Sequence, residues 1–165
     1  LLNRSSDLLV WHSGDPAIAA SWLGMERARK QFRCKTVWDS GATVAWSSDN
    51  IVFMDFTTWN PYLGMEVGMT RWITEKTKDY PFTVAAKVFP PESERMSIEE
   101  MLIGYTINGA KQLGIEAKKG SIEVGKDADF LVFDKDLLTA EKEGFSYNKP
   151  SQVYFGGKEM NKSTI

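Results

Sequence analysis

Residues 43–49, with the sequence Thr-Val-Ala-Trp-Ser-Ser-Asp, constrain the fold of this chain more than any other stretch. They follow a glycine turn at Gly41, begin as an apolar run and end on two hydroxyls and a carboxylate. Such a run is typical of a buried parallel strand, and the carboxyl ends of parallel strands form ligand sites. The pattern therefore predicts that Asp49 stands at the mouth of a site. The alternative is that Asp49 caps the next element or lies in a turn.

Composition narrows the classes of protein to which the chain can belong. Its 165 residues predict one domain, or one domain with a small appendage. A net charge of -2 argues against a nucleic-acid partner, which would require a basic surface. No apolar run has the length of a membrane-spanning helix, and the run at 8–11 is too short for a signal peptide. We therefore expect neither a nucleic-acid nor a membrane partner.

The single cysteine, Cys34, excludes an internal disulfide. Its solitary occurrence fits a reducing compartment and predicts a cytoplasmic location. Cys34 lies between Arg33 and Lys35, and two basic neighbours can lower the pKa of a thiol and make it reactive. The alternative is a partly buried, inert thiol.

The single histidine, His12, limits the metal chemistry that this chain can perform alone. Hydrolytic metal sites normally use several histidines, so the chain cannot build a histidine-rich site by itself. His12 follows the apolar run at 8–11 and could line a pocket as an acid, a base or a ligand. The alternative is a histidine that is hydrogen-bonded in a loop.

Three helix starts are marked by capping residues, and the first is Asp15-Pro16. Asn60-Pro61 places an amide cap before a proline at the first helical position. Ser97 with Glu100 forms a capping box, and the spacing predicts one helix that runs to Gly114. Its apolar stripe comprises Ile98, Met101, Leu102, Tyr105 and Leu113, with Gly109 on the same stripe to permit close packing against a strand.

The character of the chain changes near Lys118. Residues 128–134 read as a buried strand, and the residues on either side of Gly156-Gly157 read as a hairpin with a two-glycine turn. An α/β part at 1–118 is thus predicted to precede an all-β part at 119–165.

Several short motifs occur in one characteristic order. They are Leu-Gly-Met-Glu-Arg-Ala at 23–28, Asp-Ser-Gly-Ala at 39–42 leading to Ser-Ser-Asp at 47–49, Asn-Pro-Tyr-Leu-Gly-Met at 60–65, Met-Thr-Arg at 69–71, Tyr-Thr-Ile-Asn-Gly-Ala at 105–110, Gly-Ser-Ile-Glu-Val-Gly-Lys-Asp-Ala-Asp at 120–129 and Gly-Gly-Lys at 156–158. Together they resemble the carboxyl-terminal part of the amidohydrolase superfamily, most closely amidohydrolase family 3.

The resemblance implies a fold and a chemistry. The fold would be α/β: the last β/α units of a TIM-like, metal-dependent hydrolase barrel at 1–118, followed by strands of a small, composite β-sandwich domain at 119–165. Asp49 would be the aspartate of the last barrel strand. It would bind a divalent metal, expected to be zinc, and act as the general base. The substrate would be a small molecule with a C–N bond, either an amide or a cyclic amide.

The same resemblance implies that this fold is incomplete. The family's His-x-His pair, its mid-barrel lysine or carboxylate and its two further histidines have no counterpart in the sequence. The chain alone is therefore expected to be inactive and to bind no metal tightly, and to require a missing amino-terminal segment or a second copy. The alternative is a non-catalytic remnant that acts by self-association or through a protein partner. A third reading is an unrelated α+β binding domain.

Overall fold

The computed structural model describes residues 21–47, 60–71 and 91–160. In these ranges the α-helices are α1 (Met25–Ala28), α2 (Cys34–Asp39), α3 (Pro61–Thr70), α4 (Ile98–Tyr105) and α5 (Ile107–Leu113). The strands are β1 (Phe130–Val132), β2 (Gln152–Phe155) and β3 (Lys158–Glu159). Short 3-10 turns lie at Glu92–Glu94, Leu137–Thr139 and Phe145–Tyr147. No helix within these ranges combines the length and apolar character required to cross a bilayer.

The predicted helix starts at Asn60 and Ser97 are confirmed, while Asp15-Pro16 lies outside the described residues. The Asn60 side chain accepts a hydrogen bond from the Tyr62 amide at 3.0 Å, and Pro61 opens α3. At α4, the Ser97 hydroxyl accepts from the Glu100 amide at 3.2 Å, and the Glu100 carboxylate accepts from the Ser97 amide at 2.8 Å. Each cap satisfies amide donors that the first helical turn leaves without an intrahelical partner.

The predicted single helix from Ser97 to Gly114 is interrupted. Thr106 separates α4 from α5 with φ −117° and ψ −95°, and its hydroxyl donates to the Leu102 carbonyl at 2.6 Å. A threonine hydroxyl that bonds a carbonyl four residues back can bend a helix. The placement of Leu113 on the core stripe is wrong, because its side chain is 73% exposed.

A hydrophobic core joins helices from the first part of the chain to a turn near its end. Its buried members are Cys34, Val44, Trp46, Met65, Met69, Met96, Ile98, Met101 and Phe145. Phe145 is fully buried although it lies far along the chain from α3. Residues beyond 119 thus contribute directly to the main core, while the domain boundary near Lys118 stays a prediction.

The helix backbone comes into close contact with the Trp46 side chain at Gly104, and no such contact occurs at Gly109. A Cβ atom added at Gly104 would lie 2.0 Å from the Trp46 indole nitrogen, which real atoms cannot tolerate. At Gly109, the nearest atom to an added Cβ is the Gly104 carbonyl oxygen at 3.8 Å, an ordinary contact. The expectation that Gly109 provides the close contact is therefore wrong.

The small sheet is antiparallel, with strand order β1-β2-β3. Gly156 and Gly157, with φ of 56° and 76°, form the predicted two-residue turn between β2 and β3. Strand β1 is shorter than the predicted 128–134, and it is only half-buried, since Leu131 is 47% exposed. One face of a three-stranded antiparallel sheet can remain solvated, unlike the faces of a covered parallel sheet.

We expect Gly104→Ala to lower the free energy of unfolding by about 1–3 kcal/mol, because its methyl group would overlap the buried Trp46 ring. The matched control is Gly109→Ala, which has room for a methyl group and should leave stability unchanged or raise it by up to about 1 kcal/mol. Urea denaturation of the two variants checks the difference. Equal effects at both positions would contradict the close approach.

Candidate functional site

Residues 43–47, which form the central segment, lead toward Asp49 and are buried at the middle of the segment. Val44, Ala45 and Trp46 are at most 6% exposed, as the apolar run predicts. Residues 43–47 have no strand pairing within the described residues, however, so the predicted parallel strand is not formed there. The segment is held by helices instead.

Three hydrogen bonds attach this segment to α4 and α5. The Trp46 amide donates to the Gly104 carbonyl at 3.3 Å, and the Trp46 indole donates to the Glu100 carbonyl at 3.3 Å. The Asn108 side-chain amide donates to the Val44 carbonyl at 2.9 Å. Carbonyls in the last turn of a helix lack an intrahelical partner, so the end of α4 can supply the acceptor at Gly104.

The two residues that the sequence singles out for chemistry, Asp49 and His12, lie outside the described residues. Ser47 is the last described residue before Asp49, and it follows the anchored Trp46 directly. The roles predicted for Asp49 and His12 therefore stay predictions.

A groove of about 840 Å³ opens beside the end of the central segment. Its walls come from that segment, from α4 and α5, and from β1. Apolar residues dominate the lining and include Trp46, Leu102, Tyr105, Ile115, Phe130 and Phe133, while Ser47, Thr106, Lys119, Ser121 and Asp129 supply polar atoms. An apolar groove with few polar groups has the character of a small-molecule site or of a packing surface.

The charged residues Lys119 and Asp129 of this groove belong to an ion-pair cluster. Lys119 forms an ion pair with Asp129 and contacts Asp127 at 3.0 Å. The pairing with Asp129, and then with Asp127, raises the pKa of Lys119. The bond from Lys119 and a second from the Gly156 amide at 2.7 Å lower the pKa of Asp129. Lys119 and Asp129 both stay charged near neutral pH, so neither is suited to exchange a proton there.

This cluster explains the motif at 120–129 in structural terms. Asp129 bonds to the Gly156 amide at the glycine turn and pairs with Lys119, which also lies 5.4 Å above the Phe155 ring. The aspartate thus connects the end of the helical part to the tip of the hairpin. These bonds give Asp129 a structural role.

A second polar cluster is centred on Glu94, whose side chain is 3% exposed. Its carboxylate accepts from Arg33 at 2.7 Å, from the Thr36 amide at 2.9 Å and from the Thr36 hydroxyl. Burial alone would raise the pKa of Glu94, but the bonds from Thr36 and Arg33 outweigh it and lower the pKa. The cluster fastens α2 to the turn at Glu92–Glu94.

Cys34 lies beside this cluster as a buried free thiol. Burial raises its pKa to about 11, which outweighs the lowering effect of the Arg71 charge. The thiolate is the reactive form of cysteine, so a thiol that stays protonated at neutral pH is inert. The structure therefore favours the inert alternative, because the basic neighbours in sequence do not govern the environment of the sulfur.

The described residues do not fit a metal centre. No group of three or more histidine, cysteine, aspartate or glutamate side chains occurs within 21–47, 60–71 and 91–160. Zinc in proteins normally needs three or four such ligands. Asp49, if it binds a metal, requires partners from outside these ranges.

Sequence reasoning missed several buried polar residues, among them Glu94 and Asn108. Both are less than 10% exposed and both bond to groups far away in the sequence. Glu94 occurs in a charged stretch that reads as solvent-exposed, and Asn108 was read only as part of a helix motif. An asparagine in the first turn of a helix is a weak signal of a buried hydrogen bond.

Comparisons with known proteins agree with the order of the motifs. The profile of the amidohydrolase family matches residues 2–160. An imidazolonepropionase of Thermoplasma volcanium is 40% identical over 62 residues, which cover 38% of this chain and 15% of that protein. An imidazolonepropionase of Shewanella baltica strain OS155 is 47% identical over 66 residues, covering 39% of this chain and 16% of that protein.

The matched regions thus span only about a sixth of the length of these relatives. No solved structure matches the chain.

We expect Glu94→Gln to lower the free energy of unfolding at pH 7 by about 1–3 kcal/mol, because it removes the charged acceptor of three hydrogen bonds. The native pKa lies below the unfolded value, so this stabilisation is present above the unfolded pKa and is lost as the pH falls through the native pKa. Urea titrations at neutral and at acidic pH should show the difference between wild type and variant shrinking in acid.

The control for this experiment is Glu92→Gln in the same turn. Glu92 is 70% exposed and contacts Arg95 at 3.5 Å, so its removal should change stability by at most about 1 kcal/mol. A Glu94→Gln effect that is no larger than the control, or that is constant across pH, would contradict the buried cluster.

Proposed function

The chain belongs to the amidohydrolase family, and we propose that it is the carboxyl-terminal part of a hydrolase that cleaves a C–N bond in a small molecule. The observation that carries the proposal is the family match over residues 2–160. The imidazolonepropionases among its relatives support a narrower substrate class, a cyclic amide of the imidazolone propionate type.

The proposed architecture is the end of a TIM-like barrel followed by strands of a β-sandwich domain. It is supported by the order of elements, in which α-helices precede a small antiparallel sheet within the described residues. The buried segment at 43–47 would be a barrel strand whose neighbours belong to the rest of the protein. A strand buried on both faces reads as a continuous apolar run, as this one does.

Asp49 is the residue that we propose for the chemistry. A carboxylate at the mouth of the central segment can accept the proton of an attacking water and later deliver it to the leaving nitrogen. A divalent metal such as zinc, when bound, supplies positive charge that makes water a better nucleophile. The remaining ligands would come from outside the described residues.

The groove beside Ser47 supports this placement. It lies at the end of the segment that continues to Asp49, and its apolar lining could accept a small, largely uncharged substrate. Its own ion pair of Lys119 with Asp129 offers no group suited to proton transfer at neutral pH. In this proposal the groove accommodates the substrate, and Asp49 transfers the proton.

We expect Asp49→Asn to reduce kcat/KM by about 100-fold or more in the complete natural protein, because general-base catalysis typically contributes that much. The measurement is hydrolysis of an imidazolone propionate with zinc present. Asp136→Asn is the matched control, since Asp136 caps a short turn at Leu138 and an asparagine can do the same. Unchanged turnover in Asp49→Asn would contradict the role of Asp49.

The 165-residue chain by itself should bind less than one equivalent of zinc after dialysis and should hydrolyse no substrate. It has one histidine and one cysteine, and that cysteine is buried in the core. Atomic absorption and the same hydrolysis assay check both expectations. Stoichiometric zinc together with turnover would contradict the proposal that essential ligands are missing.

A second candidate function is association without catalysis, either with another copy or with a protein partner. Exposed apolar side chains favour it, since Ile122 is 84% exposed and Val124 is wholly exposed. The hydrolysis assay on the unmodified, complete natural protein separates the two candidates. A complete natural protein that hydrolyses no amide or cyclic amide would favour association.

A further inference from the structure

Strand β1 is an open edge of the small sheet. Within the described residues it pairs with β2 on one side only, because the strand order is β1-β2-β3. An edge strand presents backbone donors and acceptors that another chain can use, and charged side chains discourage such pairing. The opposite edge, β3, consists of the charged residues Lys158 and Glu159. In contrast, β1 carries only apolar side chains, namely Phe130, Leu131 and Val132.

The surface beside this edge is also apolar. Leu131 is 47% exposed, Leu113 is 73% exposed and Ile122 is 84% exposed. All three residues line the groove between β1 and α5. Contiguous apolar surface of this kind marks an interaction site, because its burial removes it from water. The open edge of β1 therefore borders a surface that association would stabilise.

The charges that flank β1 complement themselves. When two copies pair antiparallel with Leu131 opposite Leu131, Phe130 faces Val132 of the second copy. Carried outward, the same register places Asp127 opposite Lys135 of the second copy, and no like charges face each other between positions 126 and 136. Opposite charges that face each other across antiparallel strands stabilise the pairing, and like charges destabilise it.

Both members of this charge pair are accessible. Lys135 is exposed and forms no ion pair within the part of the chain that the structure describes. The side chain of Asp127 is 45% exposed although it contacts Lys119 at 3.0 Å. A carboxylate has two oxygens and can accept from more than one donor. Asp127 can therefore keep Lys119 and still bind a second cation.

We propose that β1 pairs antiparallel with β1 of a second copy, so that the two sheets become one continuous sheet. The contact is two-fold symmetric, because each copy supplies Asp127 to the Lys135 of the other. Such an interface closes at two copies and leaves the charged strand β3 at both outer edges. This surface gives the association described above a defined site, and it does not depend on the hydrolytic activity.

The first test is sedimentation velocity on the 165-residue chain, which should dimerise at concentrations between about 1 µM and about 1 mM. Asp127→Lys and Lys135→Asp each place like charges opposite each other twice in the dimer. Each variant should raise the dimer Kd about 10-fold or more. An equal mixture of the two variants should restore dimerisation, because each copy then offers the charge that the other lacks. A folding defect could not produce that rescue.

The matched control is Lys158→Asp, which makes the same change of charge on β3 and should leave the Kd unchanged. A second measurement fixes the register. Directly opposite residues of antiparallel strands have Cα atoms about 4.5 or 5.5 Å apart, within the range of about 4.4–6.8 Å that a disulfide spans. Leu131→Cys should therefore cross-link two copies under oxidised glutathione, whereas Leu138→Cys, also exposed but outside β1, should not. Cys34 is buried and cannot compete.

A wild-type chain that stays monomeric up to about 1 mM would overturn the proposal and leave this edge to another segment of the complete natural protein. Failure of the mixed variants to dimerise, or failure of Leu131→Cys to cross-link, would overturn it as well. Loss of the dimer in Lys158→Asp would assign the interface to β3 instead. Hydrolysis by the complete natural protein is a separate measurement, so failure of the dimer leaves the proposed function standing.

Discussion

The contact of the Trp46 indole with Gly104 is the constraint on which the central part of the structure depends. The glycine lets α4 approach the buried segment so closely that a methyl group would overlap the ring. That approach allows the Trp46 amide and indole to reach carbonyls of α4, and it places Asn108 within reach of Val44. The segment is therefore buried with the Trp46 amide and the Val44 carbonyl bonded to α4 and α5, although no strand pairs with it in the described residues.

Around this contact, buried charge is accommodated by dense hydrogen bonding. Glu94 collects bonds from Arg33 and Thr36, and the buried Glu66 carboxylate accepts from the Ser146 amide at 2.8 Å. The second bond ties α3 to the turn that carries Phe145, far along the chain. Buried carboxylates are tolerable only when their lone pairs are satisfied in this way. The helical part and the carboxyl-terminal part are consequently joined through polar as well as apolar contacts.

Local signals predicted local structure well and long-range structure poorly. The caps at Asn60 and Ser97 and the turn at Gly156-Gly157 were predictable, because each is a short-range hydrogen-bonding or backbone-dihedral requirement. The break at Thr106 was not, since a threonine is common inside helices and its bond to Leu102 competes only weakly with the helix. The sites of Glu94 and Asn108 were likewise hidden, because their partners are distant in sequence.

The order of motifs in the sequence determined the family, and with it the expectation of a C–N hydrolase. That order is read from the sequence alone and does not depend on how the residues pack. The sequence also determined that one histidine and one cysteine cannot complete a histidine-rich metal site. Only the tertiary structure decided that Cys34 is an inert core thiol, that Gly104 rather than Gly109 meets the central segment, and that Asn108 holds Val44. Burial, close approach and long-range bonding depend on which distant residues become neighbours, and no local pattern encodes that information.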